Sequence, residues 1–439
     1  MYSDQLAKSL EQAQPALADI VPISEGLHSH PLKICLLGYR SHPYGGGQGI
    51  YIRYLSKALL EAGHSVDVIS GEPYPHLDDG VRLIKMPGLN LFENGLTSLR
   101  LHHLSSLTNI IEWTSKLTGG FAEPYCFGRR ALKHLRKRGR HYDIIHDNQS
   151  LGWSMLQLQR ENFPLVTTIH HPITSDLDIA LKAARNAWQR LLIRRWHAFI
   201  SMQRKVARQL KNVVTVSACS QRDIAEAFGM DASIINLVHC GIDTEVFHPI
   251  FGVTKKPFRL MATVSADAPL KGAHYLLNAL ALLAPKYPDI ELLLVGKPKP
   301  GGSTERLIER LGIADRIHCV TGISTEELVR QYNEAELVVV PSVYEGFGLP
   351  AGEAMACGTA VVSTNGGALP EVVGDACIQV PVRDSQAIAD AVARLFDDPE
   401  RRRLLALAGR ERMENIFCWR KAALEMTDYY WQVIDRANR

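Results

Sequence analysis

The sequence predicts an α/β protein of two doubly wound domains that face one another across a cleft. Three observations carry this reading. The chain runs to 439 residues, more than one hydrophobic core usually organises. Short apolar runs alternate with helical patterns, the rhythm of a parallel sheet flanked by helices. That alternation restarts after Pro249, so the same unit occurs twice.

Residues 1–30 lack both the basic start and the apolar block of a secretory signal, and read as a loosely attached extension. The first domain, 31–250, opens with the strand KICLLG (33–38). This leads through Gly45-Gly46-Gly47-Gln48-Gly49 into a helix with Tyr51, Leu55, Ala58 and Ala62 on one face. Strands follow at VDVIS (66–70), YDIIHD (142–147), PLVTTIH (164–170), VVTVS (213–217) and IINLVH (234–239). Residues 185–211 read as one basic amphipathic helix, with Leu192, Trp196, Phe199, Met202, Val206 and Leu210 at helical spacing. The polar stretch FGVTKKP links to the second domain, 251–415. Its strands are FRLMATV (258–264), ELLLVG (291–296), RIHCV (316–320), ELVVVP (336–341) and TAVVST (359–364). The closing segment, 416–439, is a helix long enough to cross back to the first domain.

Composition narrows the function classes. Apolar content of 46% with 22% charged residues describes a soluble globular protein. A formal charge of +3 is too small to argue for nucleic acid or membrane, and no nucleic-acid partner is expected. No apolar run approaches the roughly 20 residues that span a bilayer. Eight scattered cysteines, with no CxxC pair and no Cys/His metal spacing, read as buried free thiols in a reducing cytoplasm. A basic amphipathic helix with tryptophans can lie on an anionic membrane, which makes peripheral contact through 185–211 at the inner membrane face a secondary expectation. The commoner reading of such a stripe is core with a solvated back.

The chemistry concentrates in EGFGLPAGEAMACG, from Glu345. The strand ELVVVP ends in a loop, Pro350 suits a first helical turn, and Gly358 ends the helix. Amides at a helix start, reached through small glycines, favour phosphate or a sugar oxygen. Glu353, one turn in, is placed to accept hydrogen bonds from paired ribose hydroxyls, and Glu345 to face the group carried by the phosphate. Either glutamate alone would be an ordinary exposed helix residue; the whole arrangement is not.

These residues resemble the donor-site signature of the retaining glycosyltransferases of family 4, which have the GT-B fold of two Rossmann-like domains. The likeness covers nearly the whole chain, including GGGQGIYIRYLSKALLEAGHSVDVIS, TVSACSQRDI, GIDTEVFHP and LKGAHYLLNAL. It implies that Glu345 contacts the transferred sugar, the Gly346-Phe347-Gly348-Leu349 backbone the sugar and diphosphate, and Glu353 the ribose. Lys271, before Gly272 at a helix start, would hold the diphosphate. His170, at a strand's carboxyl end, would lie beside the donor sugar, and Gly46 against sugar and acceptor. The base pocket would form around Gly322 and Ile323. Where similar enzymes carry an Arg six residues before the Lys, this chain has Ser265, which brings no charge; Lys297 is a candidate second cation. Asp176-Leu177-Asp178 matches the metal mark of the other major glycosyltransferase fold and is read as chance.

The implied activity is a retaining, metal-independent transfer of a hexose from a UDP- or GDP-linked sugar to a hydroxyl of a glycan, lipid or small molecule, with no other cofactor. The enzymatic runner-up is a phosphorylase of similar architecture, which would use free phosphate and pyridoxal phosphate, but this sequence offers no lysine in a convincing cofactor-anchoring context. A catalytically silent nucleotide-sugar-binding protein or partner subunit is the alternative that Ser265 raises.

Overall fold

The structure, a computed structural model, describes residues 30–43, 47–91, 95–96, 99–100, 103, 105–138, 141–172, 177, 181, 184, 186–264 and 267–438. Gly46, Ser265, Asp176, Asp178 and the extension up to residue 29 lie outside the described residues.

Seven strands form the first sheet: β1 (Lys33–Gly38), β2 (Ser65–Ser70), β3 (Arg82–Lys85), β4 (Ile144–Asn148), β5 (Leu165–Thr168), β6 (Val213–Thr215) and β7 (Ile235–Leu237). They pair in parallel in the order β3-β2-β1-β4-β5-β6-β7. Six more form the second: β8 (Lys256–Thr263), β9 (Glu291–Val295), β10 (Ile317–Val320), β11 (Ala335–Val340), β12 (Ala360–Thr364) and β13 (Ile378–Val380). Their order, β10-β9-β8-β11-β12-β13, repeats the first pattern, again all parallel. This is the Rossmann order twice over. Each sheet reverses direction of growth once, between β1 and β4 and between β8 and β11, and such points open a crevice beyond the strands' carboxyl ends.

The central strands are long apolar runs because helices cover both faces of a parallel sheet; β4, β11 and β12 are buried throughout. The edge strands β3 and β13 do not stand out in the sequence. RLIK is partly exposed and has two apolar residues, and IQV is three residues long.

Helix α1 (Gly47–Glu61) follows β1. The stretch 185–211 is not one helix but two, α2 (Ala187–Trp196) and α3 (Phe199–Ala207). The break falls at His197, whose ring bonds back to the Ile193 carbonyl at 2.8 Å. The apolar stripe is core only beyond the break: Val206 and Leu210 are buried, whereas α2 buries nothing and exposes Trp188, Leu191 and Leu192. Helix α4 (Ala218–Phe228) joins β6 to β7. In the second half, α5 (Ala273–Leu283), α6 (Thr325–Glu334), α7 (Leu349–Ala356) and α8 (Leu369–Val373) surround the crevice.

The last helix, α9 (Trp419–Asn438), packs on α1. Trp419 stacks on Tyr54 at 5.9 Å, and the buried Tyr430 hydroxyl meets His146 Nδ1 at 2.6 Å. The chain thus crosses between the halves twice. The two crossings run side by side: the Ile242 amide donates to the Phe417 carbonyl at 2.6 Å, and Ile242 forms a parallel bridge with Cys418. A single apolar cluster runs through this seam, from Leu36 and Val68 in the first sheet to Val338 and Val361 in the second.

Candidate active site

At the switch point of the second sheet, the loop after β8 carries Lys271 and the loop after β11 carries Glu345. The Val343 amide donates to the Leu270 carbonyl at 2.8 Å and ties the two loops together. Gly272 makes this approach possible: at φ +67° it lies where a Cβ would meet the Pro341 carbonyl oxygen at 1.9 Å. Lys271 Nζ then bonds Glu345 Oε1 at 2.7 Å, and the Ser342 hydroxyl donates to the same oxygen at 2.7 Å. Glu345 is buried, with Lys271 partly open beside it. The pair presents one ammonium and one carboxylate to the crevice.

Helix α7 begins directly after this loop. Gly348, at φ +106°, turns the chain into the helix, and the amides of Ala351 and Gly352 fold back onto its carbonyl. With Pro350 lacking an N–H, the Gly348 and Leu349 amides come first at the mouth. The Phe347 ring points the other way, into the core against Phe417 at 5.7 Å, so this residue offers only its backbone. Glu353 accepts from the Tyr332 hydroxyl at 2.9 Å, which in turn meets Thr263 Oγ1 at 3.1 Å. Burial pushes the Glu353 carboxyl up to about 7, against a lowering from the Tyr332 hydrogen bond. Glu353 faces the seam: it lines a narrow crevice with Leu349, Ile50 and Tyr54 of α1, and Trp419.

The first half contributes His170, just beyond β5. Its Nε2 lies 2.7 Å from Asn148 Oδ1, and the Tyr51 ring packs edge-on at 4.6 Å. Burial, reinforced by His171 and His146, lowers its pKa to about 3, so the ring is neutral. A Cβ on Gly346 would stand 3.4 Å from the His170 carbonyl oxygen, so the Glu345 loop and His170 meet across the cleft. The structure therefore brings together Glu345, Lys271, Glu353, His170 and the 346–349 backbone. Ile323, half-buried, and Gly322 lie past β10, and exposed Lys297 lies past β9, further along the same edge of the second sheet.

Several residues at this site escape sequence reasoning. Ser217, which caps α4, and Ser220, in its first turn, donate to the Gly346 carbonyl at 2.8 and 3.1 Å. The Glu371 carboxylate of α8 accepts from the Ala218 amide at 2.9 Å and meets His239 Nε2 at 2.7 Å. Burial opposes its charge, but His239 and the α4 amides hold it below the usual carboxylate range. The start of α4 thus clasps the second half at two places. Asn148 and Gln149 hold His170; a polar run, DNQS, at the carboxyl end of a buried strand is the one signal that could have marked them.

Comparison with known proteins shows the family and the fold. Residues 248–412 match the family Glycosyl transferases group 1, and residues 45–246 match Glycosyltransferase Family 4. The chain is 42% identical over 411 residues to the MMP alpha-(1->4)-mannosyltransferase of Mycolicibacterium hassiacum, covering 92% of this chain and 99% of that one. It is 28% identical to the D-inositol 3-phosphate glycosyltransferase of Corynebacterium urealyticum, over 92% of this chain and 93% of that one. Among solved structures, sucrose-phosphate synthase from Thermosynechococcus elongatus superposes with a TM-score of 0.68 at 26% identity, over 92% of this chain and all of that one. The fold also matches that of the Anabaena protein HepE in complex with UDP and glucose, with a TM-score of 0.64 at 18% identity, over 90% of this chain and 98% of that one. With its paired sheets, its cleft and this likeness along nearly its full length, the chain belongs to the group 1 glycosyltransferases of family 4, enzymes of the GT-B fold.

Proposed function

We propose that this protein transfers a hexose from a nucleoside-diphosphate sugar to an acceptor hydroxyl with retention of anomeric configuration and without a metal. By its likeness to the mannosyltransferase, the hexose is mannose and the new bond α-(1→4). The observation that carries the reading is the Lys271–Glu345 pair, 2.7 Å apart at the sheet's switch point, with Glu345 on a loop whose Gly346 meets the His170 carbonyl. Lys271 and the amides at the start of α7 balance the charge that develops on the departing diphosphate, the work a metal does in other folds. Glu345 and His170 hold the sugar. The acceptor hydroxyl approaches the face the diphosphate leaves, and a leaving phosphate oxygen takes its proton. Glu353 holds the ribose, and the base lies toward Gly322 and Ile323. Ser265 and Gly46, outside the described residues, keep the donor-binding roles that the resemblance implies. The free cysteines fit a reducing cytoplasm. No helix among the described residues is long and apolar enough to cross a membrane; the exposed Trp188, Leu191 and Leu192 of α2, among arginines, support peripheral contact with an anionic surface.

A panel of GDP-, UDP- and ADP-linked hexoses tests this, with product configuration read from the anomeric NMR signals and the assay repeated in EDTA. Lys271→Ala and Glu345→Gln should each lower kcat by about 10²–10³-fold with little change in melting temperature. Full activity in both would sink the assignment.

A further inference from the structure

We propose that Asn148 is a positioning residue that locks His170 in the Nε2–H tautomer, so that Nδ1 meets substrate only as a hydrogen-bond acceptor. The argument starts from Gln48, the second residue of α1, whose backbone carbonyl can only accept. Asn148 Nδ2 donates to it at 3.1 Å, which fixes the side-chain amide and leaves Oδ1 facing His170. At 2.7 Å from that oxygen, His170 Nε2 must carry the proton. The remaining lone pair is on Nδ1.

A second set of contacts fixes the backbone beneath the ring. Gln149 Oε1 accepts from the His170 amide at 2.7 Å, and Gln149 Nε2 donates to the His171 carbonyl at 2.9 Å. Gln149 does this from φ +56°, an uncommon conformation for a residue with a side chain. Tyr51, His146 and His171 are the titratable neighbours, and Thr168 joins two of them: its hydroxyl lies 2.6 Å from His146 Nε2 and 3.3 Å from Tyr51. The ring is held on its Nε2 edge, on its face and at its backbone. Asn148 also couples it to the first turn of α1, through Gln48.

The consequence is specificity, and it rests on the reading that places His170 at the transferred sugar. A neutral nitrogen lone pair accepts a hydrogen bond from a sugar hydroxyl and repels a phosphate oxygen. A donor sugar lacking that hydroxyl, or carrying phosphate on it, would lose the contact.

The test uses the full-length protein with 15N-labelled histidine and long-range proton–nitrogen correlation spectra, His170→Gln identifying one signal among the 17 histidines. The expected pattern is a neutral ring protonated on Nε2 throughout about pH 5–8, the span in which free histidine titrates. An Nδ1–H pattern, or an imidazolium in that range, overturns the proposal without any variant. Asn148→Leu should mix the tautomers and lower kcat by about 10–100-fold, the usual worth of a partner that orients a functional histidine. Asn148→Asp retains the acceptor oxygen and should restore the Nε2–H pattern and part of kcat at alkaline pH. Wild-type kcat in Asn148→Leu, or no recovery in Asn148→Asp, counts against the lock. A correct tautomer together with full activity in His170→Ala would instead sink the placement of His170 at the sugar.

Discussion

Glu353 is the residue at which burial and function oppose each other. Its carboxyl, raised to about 7 by burial, is normal in the unfolded chain, so its contribution to stability is complete below the ordinary carboxylate range. That contribution is lost as pH rises through 7, where the folded protein must hold a charge in a partly buried crevice. Glu353→Gln should therefore melt higher than the wild type above pH 7 and lose the advantage in acid, as thermal melts across pH would show. The same residue predicts a binding signature. The ribose contact proposed for Glu353 would favour the ionised carboxylate, so donor binding below pH 7 should release a proton. Calorimetry in buffers of different ionisation enthalpy measures that release, and Glu353→Gln should abolish it and weaken nucleotide binding.

At the scale of elements, two glycines hold the loop that carries Glu345. Gly348 turns into α7 at φ +106°, where a Cβ would lie 2.7 Å from Leu369 Cδ2. Gly367, before α8, sits at φ +65° with its missing Cβ only 2.2 Å from the Glu345 carbonyl oxygen, and the next amide, of Ala368, donates to that oxygen at 2.9 Å. Alanine at either position adds about 1–2 kcal/mol of backbone strain. Gly367→Ala should also reduce kcat sharply, because its clash falls on the catalytic loop's own backbone, whereas the Leu369 side chain can yield to Gly348→Ala. Denaturant melts and steady-state kinetics separate the two. This loop was legible in the sequence because its signals are local: spaced glutamates, turn glycines and a proline after an apolar strand. The central strands were legible for the same reason. The break between α2 and α3 was not, since the spacing of apolar residues passes through His197 undisturbed. The contacts of Glu371 with α4 and of Asn148 with His170 join residues 153 and 22 positions apart, and only the folded chain brings them together.

For the whole molecule, the clasp at the start of α4 decides how the halves meet. Glu371→Ala should remove a cap worth about 1 kcal/mol and leave the start of α4 tied to the second half only through Ser217 and Ser220 on the Gly346 carbonyl. The expected result is a lower kcat with nucleotide affinity nearly unchanged, and a larger radius in solution scattering when nucleotide is bound. Trp419 serves a different end, since it packs α9 onto α1 within a core shared by both halves. Trp419→Ala should destabilise by about 3–5 kcal/mol, in a single calorimetric transition and not in two. The paired crossings at Ile242 and Cys418 carry a last implication. A book bound along one spine opens only at its fore-edge, and its covers cannot twist past each other. Traffic in and out of this enzyme must use that free margin, donor and acceptor alike.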